Sequence, residues 1–132
     1  DVKFNISTFL DVGPYDPNQK VDYPNVVQSI TKELETPDKK KAGWHTYNRA
    51  ILICGSGFGV CMAANREPFV RAVTVRSTQE AKMARLHNNA NVLCLGADFT
   101  SPRQVNKIVE EFLTTDFEGG RHTTRLKKFG YS

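Results

Sequence analysis

The run Cys54-Gly55-Ser56-Gly57-Phe58-Gly59 sets a thiol and a hydroxyl among three glycines at alternate positions. Glycines let a backbone approach a ligand closely, and a thiolate is a nucleophile or a base. Just before it, Arg49 leads into Ala50-Ile51-Leu52-Ile53, a continuous apolar run of the kind a strand buried on both faces needs. Just after it, the small apolar residues from Val60 to Ala64 predict a buried helix. Strand, glycine loop and helix N-terminus form a cradle for an anion, because free amides and the helix dipole both face the loop. The chemistry is that of holding an oxyanion beside a nucleophile or base, and Cys54 is the candidate group.

Other elements must carry the partners of that loop. Ser7 to Val12 reads as a strand closed by Gly13, and a helix begins near Pro24, with Val26, Val27, Ile30 and Leu34 on one face before Pro37. Asp38 to Ala42 is a charged loop, and Trp44 and Tyr47 flank the approach to the Cys54 strand. Val70 to Val75 is the next predicted strand, and Ser77-Thr78-Gln79-Glu80 is a capping box opening a helix to about His87. Val92 to Leu95 is a short buried strand ending at Gly96. Ser101-Pro102-Arg103-Gln104 opens a helix that buries Val105, Ile108, Val109, Phe112 and Leu113. Gly119-Gly120 precedes a last, basic helix. Alternating strands and helices predict an α/β fold, a three-layer parallel sheet flanked by helices. In such sheets ligands bind beyond the carboxyl ends of the strands. Polar residues cluster at three such ends, Cys54 to Gly59, Arg76-Ser77 and Gly96 to Thr100, and in the run His87-Asn88-Asn89-Ala90-Asn91.

The 132 residues suffice for one domain with a real core. With 39% hydrophobic and 24% charged residues, and only short apolar runs, the chain reads as a globular domain with no membrane span and no targeting segment. The three cysteines, Cys54, Cys61 and Cys94, lack metal-ligand spacing and predict a reducing, cytoplasmic setting, with no metal and no disulfide. The net charge of +4 has one location: Arg121, Arg125, Lys127 and Lys128 stand in a C-terminal stretch free of acids, and the rest of the chain carries 14 basic and 14 acidic residues. A patch this focused suits a phosphate rather than a nucleic-acid backbone.

These residues resemble the type B ribose-5-phosphate isomerase family, which is allied to the galactose-6-phosphate isomerases of the lactose pathway. The resemblance rests on Ile53 to Gly59, Ala63-Ala64-Asn65, Ala81 to Arg85, His87 to Asn91, Glu118-Gly119-Gly120-Arg121-His122 and Val21-Asp22-Tyr23-Pro24. It implies a Rossmann-like fold and a cofactor-independent aldose–ketose isomerisation through an enediol. It makes Cys54 the base, with Ser56 and the amides of Gly55, Gly57 and Gly59 around the enediolate. His87 becomes the ring-opening residue, Tyr23 and Asn88 bind sugar hydroxyls, and Arg121 and Arg125 hold the phosphate. It also implies a small sugar phosphate as partner and a homodimer or homotetramer, because the last helix of the family reaches a neighbouring subunit's site.

Two departures bear on that expectation. The family begins with a strand, a loop carrying Asp and His, and a helix, and this sequence has only ten residues before Asp11. The expectation is that further chain, or another polypeptide, fills that place. The family also commonly carries an arginine at or beside Asp98, where an aspartate repels phosphate unless Arg76 compensates. Competing readings are a six-carbon sugar-phosphate isomerase, a non-catalytic relative, and a nucleotide-binding module. The last is disfavoured because Gly55-x-Gly57-x-Gly59 is not Gly-x-Gly-x-x-Gly.

Overall fold

Val92 to Gly96 is apolar or small at every position, and in the computed structural model all five residues are buried, which makes this strand the centre of the sheet. The structure describes residues 13, 18, 22–34 and 48–130, without the side chain of residue 33. The order of elements is α1 (Tyr23–Leu34), β1 (Ala50–Cys54), α2 (Phe58–Ala64), β2 (Ala72–Thr74), α3 (Thr78–Asn88), β3 (Val92–Gly96), α4 (Pro102–Thr114) and α5 (Arg121–Lys128). Both β1 and β2 pair with β3 in parallel, giving the order β1-β3-β2, with Cys54 opposite Gly96 and Thr74 opposite Cys94. The expected strand Ser7 to Val12, Pro37, the charged loop, Trp44 and Tyr47 lie outside the described residues.

The two faces of the sheet bury alternate residues of the same strands. Leu52, Ala72, Val92 and Cys94 pack under Val60 and Ala64 of α2 and Val27 and Leu34 of α1. Leu93 and Leu95 pack with Ala81 and Ala84 of α3 and Ile108 and Phe112 of α4. Each large side chain buried in this way contributes about 1.5–3 kcal/mol. The expected three-layer arrangement is therefore present, with α5 joined to the outside of α3. Cys61 and Cys94 lie in the first of these cores, where the adjoining Cys61 and burial both push the Cys94 thiol up and keep it neutral. Among the described residues β1 pairs only with β3, and Ile53, facing away from the Leu52 side, is 58% exposed.

One strand is shorter than its sequence predicts. Val70 to Val75 reads as six residues of strand, yet β2 spans only Ala72–Thr74. Before it, the Asn91 side chain joins the backbone bonding, accepting from the Arg71 amide at 2.7 Å and donating to the Phe69 carbonyl at 3.0 Å, while the Arg71 carbonyl accepts from the Asn91 amide at 3.0 Å. On the outer side, Asn65 pairs with Ala72 as a strand would, accepting from its amide at 2.8 Å and donating to its carbonyl at 3.0 Å. Two asparagines thus bound β2, and one of them shields an edge. The capping box at Ser101 forms in full. The one at Ser77 forms by half: Ser77 Oγ accepts from the Glu80 amide, and the Glu80 carboxylate takes the amide of Arg76 rather than that of Ser77.

Candidate active site

The three parallel strands end together, so Cys54, Thr74 and Gly96 lie at one pole of the sheet. At that pole the chain after Cys54 turns sharply. Gly57 has φ +81°, a left-handed conformation that side chains resist, and its amide is turned back to donate to Cys54 Sγ at 3.1 Å. The turn is latched from three sides. Thr74 Oγ1 donates to the Gly57 carbonyl at 2.7 Å, the Ala97 amide to the Cys54 carbonyl at 2.8 Å, and the Asp98 amide to the Gly55 carbonyl at 3.0 Å. Ser56 Oγ accepts from the Phe58 amide at 3.1 Å, which leaves the Ser56 proton free to donate outward. The amides of Gly59 and Val60 fall in the first turn of α2, where the helix has no carbonyl for them. Of the amides expected around an oxyanion, that of Gly57 is therefore directed at the thiol.

The loop also depends on Gly96, the residue facing Cys54 across the ladder. A Cβ there would stand 2.5 Å from the Ser56 carbonyl oxygen, a backbone atom that moves only if the loop moves. Gly96→Ala is expected to lower the unfolding free energy by roughly 1–3 kcal/mol in a chemical-denaturation titration, the usual range for overpacking. An unchanged midpoint would mean that the loop is free to shift. The Tyr23 ring, at the start of α1, covers the same pole: a Cβ on Gly59 would lie 2.8 Å from its hydroxyl oxygen. Tyr23, Cys54, Ser56 and the glycines are thus brought together. Asp98 closes this pole, with a carboxylate oxygen 3.1 Å from where a Gly55 Cβ would be. The Arg76 guanidinium lies over Phe99, 4.4 Å from the ring centroid, and over Phe58 at 5.8 Å.

The remaining candidates are at the other pole. From the end of β2, the 11 residues of α3 run back about 16 Å to the start of β3, and they carry His87 and Asn88 with them. The helix ends on Asn89, at φ +48°, with its amide donating to the Arg85 carbonyl and that of Ala90 to the Ala84 carbonyl. Buried Arg85 braces this end by donating to the carbonyls of Ala90 at 2.6 Å and Thr115 at 3.0 Å and to Asn89 Oδ1 at 2.9 Å. Burial, then the charges of Arg49 and Arg71, lower its guanidinium to about 10, still cationic at neutral pH. In the run from His87 to Asn91, then, Asn89 and Asn91 hold the fold.

Two residues to which the sequence assigns no role join this pole. The Glu118 amide donates to the Leu86 carbonyl, which brings the loop before α5 against the end of α3. The His122 ring then stacks on that of His87, with centroids 4.3 Å apart and planes 18° apart. Glu118 Oε2 lies 3.9 Å from His87 Nε2 and 3.7 Å from His122 Nε2. The i,i+4 spacing of Glu118 and His122 was a signal in the sequence, but their meeting with His87 depends on the fold. Arg121 and Arg125 are exposed on α5 beside this group. Burial, then the positive charges of His87 and Arg121, hold His122 below the usual histidine range.

His87, Glu118 and His122 could each offer a ligand atom to a metal, all within 4.8 Å of one another. A ligand set of two histidines and a carboxylate suits zinc. Here, however, the two imidazoles are stacked on each other, with planes 18° apart. Arg121 and Arg125 also act electrostatically on His122, and they favour an anion over a cation. No helix among the described residues is long and apolar enough to cross a membrane.

The sequence profile of a family described as Ribose/Galactose Isomerase matches residues 3–129. A protein of Mycoplasma genitalium named probable ribose-5-phosphate isomerase B is 42% identical over 128 residues, covering 96% of this chain and 76% of that protein. The structure of ribose 5-phosphate isomerase B from Anaplasma phagocytophilum superposes with a TM-score of 0.79 at 39% identity, over 91% of this chain and 76% of that one. That of the Mycoplasma genitalium ribose-5-phosphate isomerase B with bound ribulose-5-phosphate gives a TM-score of 0.72 at 41% identity, over 91% and 74%. With a thiol cradled at one pole, a histidine and two arginines at the other, and these likenesses along nearly its whole length, the chain belongs to the ribose/galactose isomerase family.

Proposed function

We propose that this chain interconverts ribose 5-phosphate and ribulose 5-phosphate without a cofactor, at a site completed by a second copy of the chain. The observation that carries the chemistry is the Cys54 thiol held in the glycine loop with the Gly57 amide donating to it. That bond fixes the sulfur in the loop, and a thiolate is a group that can take a proton from the carbon beside a carbonyl. The electron pair then moves to the carbonyl oxygen, and the Ser56 hydroxyl and the amides of Gly59 and Val60 are the donors at hand for the enediolate. Preorganised donors of this kind contribute about 3–4 kcal/mol each to the transition state. The same thiol returns the proton to carbon 1 as the carbon 2 hydroxyl becomes the carbonyl and its proton passes to the carbon 1 oxygen, so atoms and electrons balance without a redox partner.

His87 is the group for opening the furanose: it gives a proton to the ring oxygen as the bond to the anomeric carbon breaks, and the anomeric hydroxyl gives one up. In a single chain it lies about a helix length from Cys54, which favours a site shared between two copies. The carboxylate of Asp98 against the glycine loop favours the same arrangement, because it repels a phosphate at the thiol pole. The phosphate end is then directed to Arg121 and Arg125 of a neighbouring copy, with Tyr23 and Asn88 for sugar hydroxyls. A homodimer is the smallest such assembly.

Ribose 5-phosphate incubated with the protein in deuterium oxide is expected to yield ribulose 5-phosphate labelled at carbon 1, as followed by NMR. Product from a six-carbon aldose phosphate in its place would move the assignment to the galactose-6-phosphate branch, and no product from either would leave a non-catalytic relative. His87→Asn is expected to slow ribose 5-phosphate turnover by about a hundredfold. It should leave a four-carbon aldose 4-phosphate, which cannot close a ring, almost unaffected. Equal losses on both substrates would place His87 elsewhere in the mechanism.

A further inference from the structure

A group that moves protons has to be held in one orientation, and the described residues show how little holds His87. Its side chain is half-buried near the end of a helix, and the nearest carboxylate oxygen, on Glu118, is at 3.9 Å, beyond hydrogen-bond length. What does restrain the ring is its neighbour. His122 is 5% exposed, wedged where α5 meets α3, and its ring lies flat against that of His87. Such a buried ring has little freedom to turn, and it passes that restriction to the ring stacked on it.

His122 is also an expensive way to fill space. Its Nε2 is fully buried with no hydrogen-bond partner among the described residues, a loss that phenylalanine or leucine would avoid. The polar group it faces is the Glu118 carboxylate at 3.7 Å, and that carboxylate also faces His87 Nε2. One negative charge thus lies between two Nε2 atoms on stacked rings.

We propose that His122 and Glu118 are positioning residues for His87: the buried imidazole fixes the plane of the His87 ring by stacking, and the carboxylate that both Nε2 atoms face sets the direction of the ring within that plane. The inference rests on the assignment of ring opening to His87, and the two can fail separately.

The test compares ribose 5-phosphate with a four-carbon aldose 4-phosphate, which cannot form a ring, for His122→Ala, His122→Phe, Glu118→Gln and His87→Asn, with thermal melts for each. His122→Ala and Glu118→Gln are expected to lower kcat on the pentose by about tenfold or more, while the four-carbon substrate stays within about twofold. His122→Phe keeps a ring in the stack and is expected to stay within about threefold of the parent on the pentose. Equal losses on both substrates in a variant with the parental melt would mean a merely structural role and overturn the proposal. An unchanged ratio in Glu118→Gln, or a His122→Phe as poor as His122→Ala, would overturn it as well. If His122→Ala does not fold, Glu118→Gln and His122→Phe decide alone. An unchanged ratio in His87→Asn would instead remove the ring-opening assignment itself.

Discussion

Cys54→Ala is expected to lower isomerase turnover by about 10³-fold or more, because it removes the group proposed to carry the proton between the two carbons. The fold should survive the change. Cys54 is half-buried at the end of β1, and alanine retains the part of the side chain that meets the first core. The Gly57 amide loses its acceptor, a loss of about 1 kcal/mol that solvent partly makes good. Cys54→Ser sharpens the test, since a hydroxyl can still accept from that amide yet stays protonated at neutral pH. Serine should restore stability and not turnover. Iodoacetamide should inactivate the parent, more slowly when ribose 5-phosphate is present, with mass spectrometry locating the adduct on Cys54. A Cys54→Ala protein that keeps more than about a hundredth of the parental rate would remove Cys54 from the proton-transfer step.

The local parts of this site were open to reading in the sequence because local forces make them. A glycine at φ +81°, a serine before a helix and an apolar run on a two-sided strand each act within a few residues, and each was found where its pattern lay. The start of α1 near Pro24 follows the same logic, with its buried Val27 and Leu34 on the expected face. What escaped depends on residues far apart in the chain. The side chains of Asn91 and Asn65 bond the backbone at the start of β2 from twenty and seven positions away. Asn89 and Asn91 look like ligand-binding polar residues in a linear reading, and burial turns them into braces for the end of α3 and the start of β2. His122 carries only its i,i+4 spacing from Glu118 as a local signature. Only the contact between α5 and α3 gives it a partner, and that contact is worth nothing until both helices are in place. The polarity of the sheet is the largest such effect. A reading in one dimension lists Cys54, His87, Arg121 and Arg125 as one site, and a parallel sheet with an antiparallel helix between its strands puts them at opposite ends.

That separation leads to the second large effect, a recovery of activity from two inactive proteins. Arg121→Ala/Arg125→Ala removes the two guanidinium groups proposed to grip the phosphate from one helical turn, where each charge-assisted bond is worth about 1.5–3 kcal/mol. Both arginines are exposed, so the fold should not depend on them. Cys54→Ala removes the base. If each site takes its thiol from one copy and its arginines from the next, a hybrid of the two variants holds one site with both lesions and one with neither. Mixing the inactive proteins under conditions that allow subunits to exchange should therefore regenerate active sites. For a dimer that re-forms at random, half of the assemblies are hybrids with one intact site of two, so about a quarter of the parental activity should return. Single-substitution Arg125→Ala should mainly raise KM, because it weakens substrate and transition state alike. No recovered activity, with hybrids verified by native mass spectrometry, would mean that α5 serves the thiol of its own chain. The helix length between the two poles would then have to be crossed by a movement within one chain, for which the paired strands and the braced end of α3 leave little room.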